Sequence, residues 1–356
     1  MGCQAGRAHA AVSDGEIRAM RRALTLARLG PLHDPNPRVG CVLVSTGGEA
    51  LAEGWHGGAG TPHAEVAALR RARERGIDVR GATAVVTLEP CAHTGRTGPC
   101  ARALVEAGVG RVLVSVDDPS ALAGGGAGVL RAAGVDMVTD VLRAEGLDLL
   151  GHWYDAARLA RPWVVLKTAT TLDGRVGAAD GSSRWITGPQ ARAHAHGVRA
   201  RSDAIVVGIR TVLCDDPALS ARIPGEPEAH QPLRVVVGRR DIPPDAAVHG
   251  PGADLLHLRT HDPARVLAVL FERGVHELVV EGGPTLASGF LRAGLVDEIH
   301  AYIAPVVLGA GPAAIGDVGI GTIAEAARFT TRHCERLGDD VLIVATSAHS
   351  SNDKEY

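Results

Sequence analysis

Valine-rich apolar runs alternate along the chain with stretches of Ala, Leu and Arg at helical spacing, the pattern of an α/β protein. Strands are predicted at VGCVLVS near 39, ATAVVTLEP near 82, RVLVSVDD near 111, WVVLKTA near 163 and DAIVVG near 203. Further strands are predicted at LRVVVG near 233, ELVVEGG near 277, DEIHAYIAPVVLG near 297 and DVLIVAT near 340. Helices are predicted over EIRAMRRALTLARLG, HAEVAALRRARERG, PCARALVEAGV, AGVLRAAG and PTLASGFLRAGL, several of which end at Gly as a helix C-terminus should. Such alternation predicts parallel strands covered by helices. So many strands in 356 residues favour two domains, joined near 150–162, where Pro162 precedes a fresh strand. Their expected limits are 14–155 and 160–346. RIPGEPEAHQP at 222–232 reads as an exposed loop and 347–356 as a disordered tail.

Composition removes several classes of function. With 46% hydrophobic and 22% charged residues the chain can bury ordinary cores, which excludes a disordered or disulfide-scaffold protein. The net charge is -3 and the arginines are scattered rather than striped, so no nucleic-acid partner is expected. No apolar stretch approaches the roughly 18 residues of a membrane span. The opening MGCQAGRAHA has no apolar signal core and carries Gly6 where an acylation signal needs Ser or Thr, so a cytoplasmic protein is expected. Cys3, Cys41, Cys91, Cys100, Cys214 and Cys334 are unevenly spaced, as reduced thiols or metal ligands would be.

The most informative segments are TPHAEV at 61–66 and LEPCAHTGRTGPC at 88–100. His63, Cys91 and Cys100 make a three-ligand set for Zn²⁺ that leaves a fourth tetrahedral position for water, as catalytic rather than structural zinc does. The metal brings the pKa of such a water toward neutrality. Glu65, two residues beyond His63, sits beside the metal without ligating it and can carry protons to a ring nitrogen and a leaving amine. Thr61 and Pro62 read as N-cap and first helical residue, with His63 and Glu65 in the first turn. Cys100 opens a helix, where the dipole favours its thiolate. A lone His-Ala-Glu or a pair of cysteines is common by chance; their order and their strand-loop-helix setting give the combination its specificity.

These residues resemble the RibD family of bifunctional riboflavin-biosynthesis deaminase-reductases, in which the second cysteine stands further from the first than in the P-C-x-x-C signature of other zinc deaminases. The resemblance runs from about 14 to about 346. It is carried by PNPRVGCVLV at 35–44, EGWHGGAGTPHAEVAAL at 53–69, TLEPCAHTGRTGPC at 87–100, LKTATTLDGRVGAADGSSRWITGPQAR at 166–192, DAIVVGIRTVLCDDPALSAR at 203–222 and VVEGGPTLASGFLRAGLVDEIHAYIAPVVLG at 279–309. It implies a cytidine-deaminase-like α/β/α domain followed by a dihydrofolate-reductase-like α/β domain. The implied cofactors are Zn²⁺ and NADPH, and the implied substrates are phosphorylated pyrimidines. It places His63, Cys91 and Cys100 on zinc, Glu65 as proton shuttle, and Asn36, with His93, Thr94 and Arg96, at the pyrimidine. In the second half it places Thr170, Trp185, Thr211, Asp215 and the run Gly283, Pro284, Thr285, Leu286, Ala287, Ser288, Gly289 at NADPH. Ser183, Arg199, Leu219, Arg222 and Glu281 are placed at the substrate.

Two of those substrate residues are arginines, which suits a phosphate monoester. Lys167, one of two lysines in the chain and at a strand end, is a candidate catalytic residue. EGGPTLASG at 281–289 puts glycines between a strand and a helix, where backbone N–H groups receive phosphate oxygens. The chain departs from the family at DDPSALAGGGAGVL, 117–130, which would alter the edge of the deaminase site, and at Arg239, where the family often has Ser on the cofactor. A homo-oligomer is expected. The rival readings are a specialised-metabolism paralogue acting on a related pyrimidine or pteridine precursor, a nucleic-acid deaminase module, and a zinc-stabilised structural protein.

Overall fold

The computed structural model describes residues 11–93, 98–120, 124–227 and 229–348. Thr94, Arg96 and the opening MGCQAGRAHA lie outside the described residues. The chain divides into two compact units between Ala160 and Arg161. Among the described residues no helix is long and apolar enough to cross a membrane.

The first unit comprises α1 (Asp14–Ala27), β1 (Gly40–Val44), β2 (Ala50–Trp55), α2 (Ala64–Glu74), β3 (Thr83–Leu88), α3 (Cys100–Glu106), β4 (Arg111–Val116), α4 (Gly126–Ala132), β5 (Asp136–Val138), α5 (Arg143–Leu150) and α6 (His152–Leu159). Its sheet runs β2-β1-β3-β4-β5. Alternation along β1 explains the unbroken apolar run: Cys41 and Leu43 enter a core with Ala64, Ala68 and Leu104, while Val42 and Val44 enter another with Met20, Ala23 and Leu24. Helices on both faces make an α/β/α sandwich. Ser13 and Glu16 form a capping box that starts α1.

The second unit comprises β6 (Trp163–Thr171), α7 (Pro189–Arg201), β7 (Ala204–Gly208), α8 (Ile209–Asp215), β8 (Leu233–Val237), β9 (Leu255–Leu258), α9 (Pro263–Phe271), β10 (Glu277–Val280), α10 (Pro284–Arg292), β11 (Glu298–Ala304), β12 (Phe329–Leu337) and β13 (Asp340–Ser347). Its sheet runs β12-β13-β11-β6-β10-β7-β8-β9. Val164, Leu166, Val206, Val235 and Leu278 pack one face against Leu267 and Leu270 of α9 and Phe290 of α10. Asp297, 3% exposed, accepts both arms of the Arg161 fork at 2.6 and 2.8 Å and the Val164 N–H at 2.9 Å, fixing the start of β6.

Three expectations are corrected. The sheets are mixed rather than parallel: β1 is antiparallel to β2 and β3, and β13 to β11 and β12. The hairpin strands β2 and β12 were not predicted, because β2 alternates apolar and polar positions weakly and β12 is exposed along most of its length. Ser347 belongs to no tail; it closes β13 opposite Phe329, while 349–356 lie outside the described residues.

Candidate active sites

His63 itself, not Thr61, is the N-cap of α2, with extended backbone (φ -64°, ψ 159°). Thr61 is unavailable as a cap because its hydroxyl donates to the Gly58 carbonyl at 2.7 Å and accepts from Gly57 N–H at 3.1 Å, closing the loop after β2. At the cap position the imidazole turns off the helix toward the two sulfurs. His63 Nδ1 lies 3.3 Å from Cys100 Sγ and 3.7 Å from Cys91 Sγ, and the three ligand atoms fall within 4.8 Å of one another. Zn–S of about 2.3 Å and Zn–N of about 2.0 Å on a tetrahedron put ligand atoms roughly 3.5–3.8 Å apart, so this donor set fits Zn²⁺.

The electrostatics agree. Cys91 falls to about 4, since the Cys100 thiol hydrogen-bonds it and, against partial burial, so do His63 and the Cys100 N–H. Cys100 moves up as the donor to Cys91 and through its own burial. One thiolate therefore forms readily, and the second sulfur gives up its proton to a cation. Glu65, in the first turn of α2 and 3% exposed, is pushed up by burial, against the lowering pull of a backbone hydrogen bond and His63.

His63, Glu65 and Cys91 share a cavity of about 170 Å³ with Asn36 and His93. Its wall also includes His56, Glu89, Asp118 and Trp153, which the sequence reading missed. His56 Nδ1 meets the Pro62 carbonyl at 3.2 Å, and its buried Nε2 has no hydrogen-bond partner among the described residues. Asp118 is raised by burial. Asp34 ties the 34–36 turn beside the cavity to the loop after β2, accepting from Asn36 N–H and from Ala59 N–H, each at 2.9 Å. Within the unusual 117–130 segment, residues 125–127 are built onto the metal loop: a Cβ at Gly126 would stand 1.6 Å from the Pro90 carbonyl oxygen, and Glu89 Oε1 accepts from Gly125 N–H at 3.2 Å and Ala127 N–H at 2.8 Å.

In the second unit, the carboxyl ends of β7 and β10 lead through Gly208 and Gly283 into α8 and α10, neither of which has a side-chain cap. A Cβ at Gly282 would stand 2.7 Å from Leu286 and 3.2 Å from the Gly208 nitrogen. Glycine thus lets these two strand ends close into a cradle where a dinucleotide phosphate fits, at the position expected in open α/β sheets. Thr211 lies in the first turn of α8, Thr170 near the end of β6, and Gly283, Pro284 and Thr285 at the start of α10. Ala287 and Ser288 point inward instead; Ser288 Oγ accepts from Gly316 N–H at 2.8 Å. Asp215 and Arg239 are exposed, and Trp185 is 69% exposed with the Arg192 guanidinium 4.6 Å above its ring.

The structure gathers the candidate catalytic residue Lys167 with Arg199 and Glu281, two of the predicted substrate residues. Arg199 donates from Nε and Nη2 to Glu281 at 2.7 and 2.8 Å, and Lys167 Nζ stands 3.5 Å from the same carboxylate. Burial alone would raise Glu281, but Arg199 and Lys167 hold it below the usual carboxylate range. Lys167 Nζ also lies 5.7 Å over the Tyr302 ring, whose hydroxyl meets His194 Nδ1 at 2.7 Å. Arg199 also donates from Nη1 to the Ser220 carbonyl at 3.1 Å, so three of its five N–H groups are engaged within the protein. Leu219 adopts φ +53° in the turn leading to Ser220 and Arg222, and Ser183 is half-buried.

Fold and sites together define a two-enzyme chain, a zinc-dependent deaminase followed by a nicotinamide-dependent reductase. Residues 14–116 match the cytidine and deoxycytidylate deaminase zinc-binding region, and 162–343 match the RibD C-terminal domain. The riboflavin biosynthesis protein RibD of Mycobacterium tuberculosis is 48% identical over 87% of this chain and 90% of its own, and that of Escherichia coli 38% identical over 91% and 97%. A Thermotoga maritima diaminohydroxyphosphoribosylaminopyrimidine deaminase/5-amino-6-(5-phosphoribosylamino)uracil reductase structure aligns with TM-score 0.76 at 31% identity, over 94% of this chain and 99% of that one. Acinetobacter baumannii RibD gives 0.78 at 35% over the same shares. The chain belongs to the RibD family of riboflavin biosynthesis proteins, with deaminase and reductase activities and with zinc and NADPH as cofactors. Nothing in these comparisons favours the alternative of a specialised-metabolism paralogue acting on a related pyrimidine or pteridine precursor.

Proposed function

We propose that the first unit, over 14–155, deaminates 2,5-diamino-6-(5-phosphoribosylamino)pyrimidin-4(3H)-one. The second, over 160–346, reduces the ribose of the resulting 5-amino-6-(5-phosphoribosylamino)uracil to a ribityl chain. The observation that carries this reading is the tetrahedral spacing of His63, Cys91 and Cys100 beside a buried Glu65 in one cavity. Zinc held by those three residues would supply a water acidified enough to attack at neutral pH. Glu65 takes the proton of that water and passes it to the ring nitrogen and the departing amine, a task suited to a carboxyl whose burial favours the protonated form. Asn36, His56 Nε2 and Asp118 hold the pyrimidine edge. NADPH, seated at Gly283–Gly289 with Thr170, Trp185, Thr211 and Asp215, would supply hydride. Lys167 holds a proton at Nζ toward the opened sugar, Glu281 fixes that lysine, Ser183 and Leu219 line the substrate, and Arg222 takes the phosphate.

We place the chain in the cytoplasm, where Cys91 and Cys100 stay reduced. We assign it a homo-oligomeric state, which β12, exposed at one edge of its sheet, supports. Purified protein given the diaminopyrimidine and NADPH is expected to release ammonia and oxidise NADPH. Glu65→Ala should abolish both while keeping its zinc. Zinc loss in that variant would make Glu65 a ligand, and ammonia without NADPH oxidation would overturn the reductase assignment.

A further inference from the structure

His196 on α7 and Arg222 in the loop after α8 meet through Ser220. The Ser220 carbonyl accepts from Arg199 Nη1 at 3.1 Å and faces His196 Nδ1 at 3.2 Å. Arg222 donates from Nη1 to Ser220 Oγ at 2.9 Å, and its Nη2 stands 3.0 Å from His196 Nε2. A carbonyl only accepts and a guanidinium only donates, so one arrangement satisfies every contact: Nδ1 carries the proton, Nε2 carries the lone pair, and the imidazole is neutral. Burial, then Arg199 and Arg222, draw His196 down to about 4, against a weaker pull from Glu281 and Ser220.

We propose that His196 is a positioning residue of the reductase: its neutral imidazole aims Arg222 at the substrate phosphate and joins that arginine, through Ser220 and Arg199, to the Glu281 carboxylate that holds Lys167. The proposal rests on the reading of Arg222 as the phosphate ligand. Arg222 is exposed, and without its two acceptors a long side chain would sample many rotamers. With them the fork arrives pre-oriented for the phosphate.

The test is steady-state NADPH oxidation with 5-amino-6-(5-phosphoribosylamino)uracil and with the same compound freed of its phosphate, for the wild type, His196→Leu, Arg222→Ala and the double variant. Each single substitution should raise KM for the phosphorylated substrate about tenfold, as loss of a charged hydrogen bond would. His196→Leu should leave kcat, KM for NADPH and KM for the dephosphorylated compound near wild type. The double variant should be no worse than Arg222→Ala, and competitive inhibition by inorganic phosphate should weaken in parallel. His196→Gln, which returns an acceptor near Nε2, should recover most of the affinity. Multiplicative effects, or equal KM increases for both compounds in His196→Leu, overturn the proposal. An effect of Arg222→Ala without one of His196→Leu removes His196 alone, whereas an inert Arg222→Ala removes the assignment of Arg222 and the proposal with it.

Discussion

Gly126→Ala is expected to loosen zinc although residue 126 touches no metal ligand. The added Cβ would stand 1.6 Å from the Pro90 carbonyl oxygen, and 3.0 Å is the least that real contacts tolerate, so about 1.4 Å of separation must be found. The start of α4 is ill placed to retreat, because the Glu89 carboxylate holds Gly125 and Ala127 N–H groups on either side. The movement therefore falls on Pro90 and on Cys91 next to it, where metal sites tolerate only about 0.2 Å. Overpacking of this kind costs about 1–3 kcal/mol, or roughly 2–12 °C of Tm for a unit of this size. Zinc release to a chelator, followed by a colorimetric indicator, should be at least about tenfold faster than in the wild type. Gly128→Ala, two residues along α4 with open space at its Cβ, is the control and should be neutral or stabilising by up to about 1 kcal/mol. Equal chelation rates and melting points for the two variants would refute the reasoning.

Asp297→Asn should cost the reductase unit about 2–4 kcal/mol in urea unfolding, because the Arg161 charge loses a buried partner; a loss below about 1 kcal/mol would contradict this. Tyr302→Leu removes the ring under Lys167 Nζ and should lower reductase kcat about 3- to 10-fold with deamination unchanged, while Tyr302→Phe should lose less. An equal loss of ammonia release would count against it. His196 titrates near 4 when folded and near 6.5 when unfolded. Between those values the unfolded chain binds the extra proton, so stability present above pH 6.5 declines as pH falls toward 4. His196→Gln should flatten that part of the pH-stability curve, and an unchanged slope would rule the linkage out.

The zinc trio was legible because its chemistry is written in local words: His63 two residues before Glu65, and Cys91 and Cys100 at the ends of one loop. The rest of that cavity was not, since His56, Glu89, Asp118 and Trp153 come from four separate segments and carry no mutual spacing. Glu89, adjoining Pro90-Cys91, was the one with a usable signal. The buried strands were readable as unbroken valine runs, whereas β12 offers FTTRHCERL, exposed and polar, whose place depends on pairing with β13. Lys167 stood out through rarity and an expected strand end, which the structure corrects, since β6 continues through it to Thr171. That Arg199 pairs with Glu281 follows from the end of β10 and α7 meeting in three dimensions, which composition cannot express.

The carboxylate of Asp34 has a kinetic consequence. By holding the amides of Asn36 and Ala59 with its two oxygens, it makes the 34–36 turn and the loop after β2 one mechanical piece. Local opening of the turn is then expected to carry the loop with it as one concerted motion. The two amides would exchange with solvent deuterium at a common opening rate, and cutting the staple with Asp34→Ala would let their rates diverge.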